Sequence, residues 1–131
     1  NIFEDGKESR DFVYIDDAVD ATILGIEEDE ANYEVFNVGL GKVIDVNTVA
    51  SILAQAYNSK SEITISGNYR LGDIRDNYAD LSKIQSKLGF KPRVSFEEGI
   101  TRFTTWVNGQ ETVEDKYEQS IVEMKEKGLY K

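Results

Sequence analysis

The stretch Arg10-Asp11-Phe12-Val13-Tyr14-Ile15-Asp16-Asp17 decides the fold class, because it predicts a strand that runs directly into a helix. The apolar residues 12–15 are typical of a strand, and Asp16 and Asp17 are of a type that caps helix N-termini. The apolar residues that follow at helical spacing are Ala18, Val19, Ile23, Leu24 and Ile26. We therefore expect a strand, a carboxylate cap and a helix in immediate succession.

The same alternation continues outward from this stretch. Upstream, Asp5-Gly6 predicts a tight turn, either within a hairpin or leading into the strand. Downstream, residues 34–38 and 62–65 are predicted strands, and the helix between them is expected to begin at an Asp45 cap. The order strand, helix, strand, helix, strand indicates an α/β fold with short strands.

The second half of the sequence predicts a polar loop and then more helices. Asp80 is expected to start a short helix that Gly89 closes with a left-handed residue. Ser95 and Glu98 have the spacing of a capping box, which predicts another helix start. The residues expected on the buried side of that helix are Ile100, Phe103, Thr104, Trp106 and Val107.

The last part of the chain has a different composition. Residues 110–131 are highly charged and carry a narrow apolar stripe, which predicts an amphipathic helix docked on its own domain or on a partner. The stripe consists of Val113, Tyr117, Ile121 and Met124. We therefore divide the chain into residues 1–109 and a C-terminal helix within residues 110–131.

Composition narrows the chemistry that the 131 residues support. The 25 acidic and 15 basic residues give a formal charge of -10, which disfavours nucleic acid because phosphate-binding surfaces are basic. The sequence has no histidine or cysteine, which excludes disulfides, thiolate nucleophiles, cysteine zinc sites and the Ser/His/Asp arrangement. Helix capping explains Asp16 and Asp17, and exposure to solvent explains Asp20, so we expect no metal site at these carboxylates. No apolar run approaches the roughly 20 residues of a membrane span, and without a recognisable signal peptide we expect a cytoplasmic location.

Three cofactor motifs are incomplete in this sequence. Gly39 and Gly41 begin a G-x-G-x-x-G dinucleotide motif, but Ile44 stands where the third glycine belongs. A P-loop around Gly41 fails as well, because Phe36 and Val43 replace its first glycine and its Ser or Thr. None of the seven tyrosines has a lysine four residues later, as a short-chain dehydrogenase requires. We predict no catalytic and no cofactor-binding residue in this chain.

Two arginine clusters are the candidate binding sites. In Arg70-Leu71-Gly72-Asp73, a planar guanidinium suits two-point contact with a diphosphate, and a carboxylate suits sugar hydroxyls. A surface ion pair is the alternative, since Arg75 and Asp76 lie beside this stretch. Arg10 and Phe12 place a cation beside a ring that can pack on a base, whereas a strand-end arginine and a core phenylalanine are the alternative.

Seven short blocks occur along the chain in a recognisable order. They are Asp5-Gly6, Arg10-Asp11-Phe12-Val13-Tyr14-Ile15-Asp16-Asp17, Val35-Phe36-Asn37-Val38-Gly39-Leu40-Gly41, Arg70-Leu71-Gly72-Asp73-Ile74-Arg75, Asp80-Leu81-Ser82-Lys83, Leu88-Gly89-Phe90-Lys91-Pro92 and Ser95-Phe96-Glu97-Glu98-Gly99-Ile100. Together they resemble the C-terminal part of extended short-chain dehydrogenase/reductases, the nucleotide-sugar epimerases and dehydratases of the UDP-glucose 4-epimerase type. The resemblance runs from about residue 3 to residue 107.

The resemblance implies that this chain is the substrate-binding part of a Rossmann-type α/β enzyme, with residues 34–38 at the edge of the cofactor-domain sheet. It implies that Arg10 and Arg70 converge on the diphosphate of a nucleotide-sugar (NDP-hexose) substrate. It also implies that Asp73 contacts the ribose and that Phe12 lies beside the nucleoside. Leu71 departs from the family, which usually has proline at this position.

The resemblance also implies an NAD-dependent parent enzyme, expected to be a homodimer. In this family the glycine-rich NAD turn and the Ser/Tyr/Lys catalytic group precede the segment present here, so we expect an inactive fragment. A nucleotide-sugar dehydratase and a heptose-type epimerase are alternatives within the family. An alternative from another class is a non-enzymatic, acidic module that binds a protein through the C-terminal stripe.

Overall fold

The computed structural model describes residues 1–111 and 113–131. In chain order its elements are β1 (Ser9–Arg10), α1 (Ile15–Glu27), a short 3₁₀ helix (Asp29–Ala31), β2 (Ile44–Asp45), α2 (Val46–Ala56), α3 (Ser82–Leu88), α4 (Phe96–Asn108) and α5 (Tyr117–Glu126). Short strands, several helices and a C-terminal helix were expected, and the α/β class is confirmed. Residue 112 of the predicted C-terminal segment lies outside the described residues.

The strands of this small sheet bring distant parts of the chain together. β1 and β2 are antiparallel, with Ser9 opposite Asp45 and Arg10 opposite Ile44. A parallel bridge also joins Ser9 to Asp76, and another joins Ile2 to Ile65. The N-terminal residues 2–9 therefore pair with both ends of the polar segment that precedes α3, at residues 65 and 76.

The three predicted strands at residues 12–15, 34–38 and 62–65 are wrong. α1 already begins at Ile15, residues 34–38 have no assigned strand, and only Ile65 of the third forms a single bridge. A strand exists only where a neighbouring backbone satisfies its N–H and C=O groups, and no described segment pairs with residues 34–38 in this way. The apolar pattern did not report whether a pairing partner exists, and Ile15, Val35 and Ile65 from these three segments are exposed.

Three of the predicted helix ends that depend on local capping hold, whereas α3 begins at Ser82 with Leu81, not Asp80, in the N-cap position. Asp45 caps α2 by accepting from the Thr48 N–H at 2.7 Å, and Ser95 caps α4 by accepting from the Glu98 N–H. Gly89 ends α3 with a left-handed φ of 67°, as expected. Their chemistry is contained within four residues, so the sequence reports it directly.

The predicted cap of α1 is wrong. Tyr14 occupies the N-cap position, and Asp16 and Asp17 lie inside the first turn. Asp17 is buried and accepts from the backbone N–H groups of Arg93 and Val94 at 2.9 and 3.0 Å. Asp17 therefore fastens α1 to the segment that precedes α4.

The core lies between α1 and α3. It is formed by Ala21, Leu81, Ile84, Leu88 and Phe90. On α4 the prediction of buried Phe103 and Trp106 is wrong, since 47% and 60% of their surfaces are exposed, whereas Phe96 and Thr104 are buried. On α5, Ile121 is buried within its own chain.

Candidate functional site

A cavity of about 300 Å³ lies beside β1, between the N-terminal residues and the polar loop. Arg10, Arg70 and Asp73 all line it, together with Phe3 and Glu8. The structure therefore brings together three of the four candidate binding residues. Their role in binding a ligand stays a prediction.

The alternation of side chains along β1 accounts for one wall of this cavity. Glu8 and Arg10 are two residues apart and both line the cavity, whereas Ser9 between them is bonded elsewhere. The Ser9 hydroxyl donates to Asp76 Oδ1 at 2.6 Å, and the Ser9 N–H donates to the Arg75 carbonyl at 2.8 Å. Glu8 and Arg10 thus line the cavity, while Ser9 between them holds residues 75 and 76 of the loop that carries Arg70.

Arg10 is half-buried and anchored by main-chain oxygens. Its Nη1 donates to the carbonyls of Ser9 at 2.7 Å and Arg75 at 3.0 Å. A guanidinium has five N–H donors in a fixed planar arrangement, so two such bonds orient the group and leave donors for a ligand. No carboxylate of the described residues forms an ion pair with Arg10 at 4 Å or less.

Arg70 is oriented by a carboxylate and an aromatic ring. Its Nε and Nη2 lie 2.9 and 2.7 Å from Asp73 Oδ2, and its Cζ lies 5.6 Å from the centre of the Phe3 ring. The turn that permits this pair includes Gly72, whose φ is 88°. The ion pair that the sequence left open as an alternative is therefore present, and it forms part of the cavity wall.

Phe12 lies apart from the two arginines. It lines a different, mainly apolar cavity of about 410 Å³ between α2 and α4, and its ring packs against Phe96 at 5.2 Å. The structure does not bring Phe12 into the cavity of Arg10 and Arg70. Its predicted position beside a nucleoside stays a prediction.

Arg75, the neighbour of this site, has a structural role. It bonds to Asp5 at 2.8 Å and Glu4 at 3.1 Å, and so holds the N-terminal turn. The hydrogen bond from Arg75 is the main cause that lowers the pKa of Asp5 below its ordinary value. Arg75 is thus committed to this turn and does not line the cavity.

Two acidic residues near the site were missed by sequence reasoning. Glu8 is buried in the cavity wall, and its Oε1 has no hydrogen-bond partner among the described residues. Asp11 accepts from the backbone N–H groups of Leu40, Gly41 and Ala79 at 2.6, 2.9 and 3.2 Å. Asp11 stands in the stretch that was quoted first, but its partners are distant in sequence.

The turn containing Gly39 and Gly41 does not fit the pyrophosphate of a dinucleotide. The N–H groups of Leu40 and Gly41 are the donors such a group would need, and both already donate to Asp11. A side chain at Gly39 would also place Cβ 2.4 Å from Asp11 Oδ2. The glycine at 39 therefore serves the close approach of Asp11, and the residues present do not hold NAD here.

Comparison with known proteins supports the family resemblance that the seven sequence blocks indicated. Residues 2–103 match the family model described as GDP-mannose 4,6 dehydratase. The chain belongs to the extended short-chain dehydrogenase/reductase family of nucleotide-sugar epimerases and dehydratases. It is 36% identical over 106 residues to dTDP-L-rhamnose 4-epimerase of Burkholderia thailandensis, covering 81% of this chain and 29% of that protein.

Solved structures give the same family. UDP-glucose 4-epimerase of Thermotoga maritima with UDP-glucose has a TM-score of 0.75 and 36% identity, over 82% of this chain and 34% of that one. MoeE5 in complex with UDP-glucuronic acid and NAD has a TM-score of 0.74 and 32% identity, over 82% and 36% of the two chains. The chain thus spans about a third of the length of the relatives it matches. Among the described residues, no helix has the length and apolar character needed to cross a membrane.

Proposed function

We propose that this chain is the nucleotide-sugar-binding portion of an NAD-dependent nucleotide-sugar epimerase, with a UDP-glucose 4-epimerase-like reaction. The observation that carries the proposal is the cavity shared by Arg10 and Arg70. A nucleoside diphosphate sugar presents two adjacent anionic phosphates, and two guanidinium groups can neutralise them by charge-assisted hydrogen bonds. The sugar-nucleotide ligands named for related structures support this choice of substrate class.

The carboxylates of the cavity fit the neutral part of such a ligand. Asp73 holds Arg70, and Glu8 lies in the same wall with an oxygen that has no described partner. A carboxylate beside a diphosphate is repelled by it, but it accepts hydrogen bonds from sugar hydroxyls. We infer that these acidic residues face the hydroxyl-bearing part of the ligand, as the family resemblance implies for Asp73 and the ribose.

The chemical step belongs to residues outside this chain in our proposal. NAD, held by a domain that precedes these residues in the parent enzyme, would accept hydride from the carbon that bears a sugar hydroxyl, while that hydroxyl would lose its proton to a base outside these residues. Arg10 and Arg70 would fix the substrate at its diphosphate, so that the sugar reaches the cofactor in a defined geometry. The 131 residues alone would then bind substrate without turning it over, and we take the parent to be a cytoplasmic homodimer.

A partner-binding module is less well supported. That alternative needs the apolar stripe of the C-terminal segment to be available to another protein. Ile121, at the centre of the stripe, is only 8% exposed and is covered by its own chain, which leaves Val113 and Tyr117 as the exposed members of the stripe. A dehydratase remains the second candidate within the family, because the matching family model is described as a dehydratase.

Arg70→Ala, introduced into the intact parent enzyme, tests the proposal. Because a charge-assisted contact to phosphate is lost, we expect the dissociation constants of UDP-glucose and dTDP-glucose to rise more than about tenfold in calorimetry. Arg93→Ala is the matched control, since Arg93 is also an exposed arginine but pairs with Asp20 and lies outside this cavity. Unchanged affinity of the Arg70→Ala variant for every nucleotide-sugar that the native protein binds would contradict the assignment.

A further inference from the structure

The C-terminal residues turn back from α5 toward the Arg70 loop. Gly128 has a left-handed φ of 67°, and its N–H donates to the Lys125 carbonyl at 3.0 Å. The Leu129 N–H then donates to the Met124 carbonyl at 2.9 Å. These bonds close the helix and direct residues 129–131 away from its axis.

Residues 129–131, which we call the C-terminal tail, pair with the backbone on both sides of Arg70. Tyr69 and Lys131 exchange two N–H to carbonyl bonds of 2.9 Å, and the Leu71 N–H donates to the Leu129 carbonyl at 2.9 Å. The bridge is antiparallel and places Arg70 opposite Tyr130. Leucine at position 71 supplies an N–H donor that proline would lack.

The side chains of this pair meet at one ring. Phe3 packs edge-on against Tyr130, with ring centres 5.6 Å apart, and the Arg70 guanidinium lies 5.6 Å from the centre of the same Phe3 ring. Residues opposite each other in an antiparallel pair project to the same face, which accounts for this grouping. Lys125 of α5 lies 5.3 Å from the Tyr130 ring and covers it on another side.

The Arg70 loop is held on either side of that residue, by the Glu4 N–H bond to the Asn68 carbonyl at 2.7 Å and the Ser9 N–H bond to the Arg75 carbonyl at 2.8 Å, and the C-terminal tail pairs with the residues between these two points. The Arg70 side chain is 49% exposed, and the loop contains Gly67 and Gly72, both with positive φ. Glycine has the largest backbone freedom of any residue, and a long arginine loses side-chain entropy when it is ordered at a ligand. Pairing with the C-terminal tail restricts the backbone of residues 69–71 before a ligand arrives.

We propose that the C-terminal tail is a positioning element of the nucleotide-sugar site, and that Tyr130 is a positioning residue for the guanidinium of Arg70. This inference rests on the proposed function, because it assigns the tail to the same diphosphate contact. The tail lies beyond residues 2–103, so the family match does not account for it. The C-terminal segment then serves the site without itself touching the ligand.

A double-mutant cycle in the complete polypeptide tests this inference. The variants are deletion of residues 129–131, Arg70→Ala, and the two changes together, with UDP and dTDP as probes in calorimetry. We expect the deletion alone to weaken binding about fivefold, within the range for ordering one flexible side chain at a binding site. In the Arg70→Ala background the deletion is expected to have no further effect, because its influence passes through that guanidinium.

The outcomes separate the two proposals. If Arg70→Ala weakens binding and the deletion does not, the tail has no positioning role and the proposed function stands. If the deletion weakens binding equally with and without Arg70, the tail acts through general stability, which also overturns the inference. If Arg70→Ala leaves binding unchanged, both proposals fail together.

Tyr130 variants address the same question without shortening the chain. Tyr130→Ala removes the ring that packs on Phe3 and is expected to weaken UDP binding about threefold, whereas Tyr130→Phe keeps the ring and is expected to bind as the native protein does. Equal affinity of the Ala and Phe variants would overturn the role of the ring. These variants retain the backbone pairing, so they decide the question if the deletion fails to fold.

Discussion

The cavity and the outer side of α1 differ in how far their side chains have partners within this chain. Around the cavity, Arg10 and Arg70 have partners within the chain, and the C-terminal tail closes the loop. On α1, by contrast, a stripe of apolar side chains faces solvent, and the unpaired segment 34–38 exposes apolar side chains too. The exposed residues are Ile15, Val19, Ile23, Ile26, Val35 and Val38.

This contrast separates what the 131 residues can do from what they leave unfinished. An apolar stripe at helical spacing and an unpaired apolar segment are stable in water only at a cost, and such surfaces mark places where more protein packs. The cavity wall needs no such cover for its charged groups to be oriented. Under the proposed function, the ligand-binding residues lie within this chain, and other parts of the parent enzyme would cover the outer side of α1 and residues 34–38.

Removing the Asp17 carboxylate is expected to have the largest effect on stability. It should loosen the packing of α1 and leave the cavity unchanged. Asp17→Ala leaves two backbone N–H groups, of Arg93 and Val94, without their buried acceptor. We expect a loss of about 3 kcal/mol in the free energy of unfolding, from urea denaturation, because each lost bond involves a charged acceptor. UDP affinity of the folded variant should not change.

Asp16→Ala is the control for that measurement. Asp16 is the exposed neighbour and pairs only at the surface with Arg102, at 3.2 Å. We expect its removal to change the free energy of unfolding by less than about 1 kcal/mol. Equal losses for the two aspartates would show that burial of the Asp17 carboxylate does not fasten α1.

A substitution in the turn after residues 34–38 is expected to lower stability by a smaller amount, and its control substitution is expected to raise stability. Gly39→Ala would place Cβ 2.4 Å from Asp11 Oδ2 and 2.7 Å from the Ala79 Cβ, so the Asp11 contacts must shift. We expect a destabilisation of about 2 kcal/mol by thermal or urea unfolding. Gly25→Ala in α1 meets nothing within 4 Å and should stabilise by about 0.5–1 kcal/mol. Similar signs for the two variants would contradict the role of close approach at Gly39.

The sequence predicts the parts of this fold that are determined locally. Asp45, Ser95 and Gly89 were expected to begin or end helices and do so, because a cap depends on residues within one turn. The joint placement of Arg10 and Arg70 was expected from the family resemblance, not from spacing. From chemistry alone, a surface ion pair was the alternative for Arg70, and a strand-end position was the alternative for Arg10.

The features that sequence reasoning missed depend on partners far along the chain. Asp17 has the residue type and position of a helix cap, but its carboxylate oxygens accept hydrogen bonds from the backbone N–H groups of Arg93 and Val94. Residues 34–38 have the pattern of a strand without a described neighbour to pair with. The C-terminal tail is three residues long and carries no periodicity, so its pairing with residues 69–71 has no signal in the sequence.

Glu34 provides the smallest expected effect and the one that depends on pH. Hydrogen bonds from Lys83 and then Lys87 of α3 lower the pKa of Glu34 from 4.5 to about 2. Since the pKa is depressed in the folded state, the stabilising contribution is fully present above pH 4.5 and is lost as the pH falls toward about 2. Both lysines attach Glu34, the first residue of the unpaired segment 34–38, to α3, so this contact also holds that segment.

We therefore expect Glu34→Gln to lower the urea midpoint slightly at neutral pH, where the carboxylate is ionised. The difference from the native protein should shrink between pH 4.5 and about 2, because the native Glu34 is itself protonated over that range. Glu30→Gln is the control, since Glu30 is an exposed glutamate nearby with no described ion pair at 4 Å or less. A Glu34→Gln difference that stays constant across this range would show that the two lysines do not hold residues 34–38 through their charge. The attachment of that segment to α3 would then rest on the Lys83 hydrogen bond to the Val35 carbonyl, which is 2.9 Å long and does not titrate with Glu34.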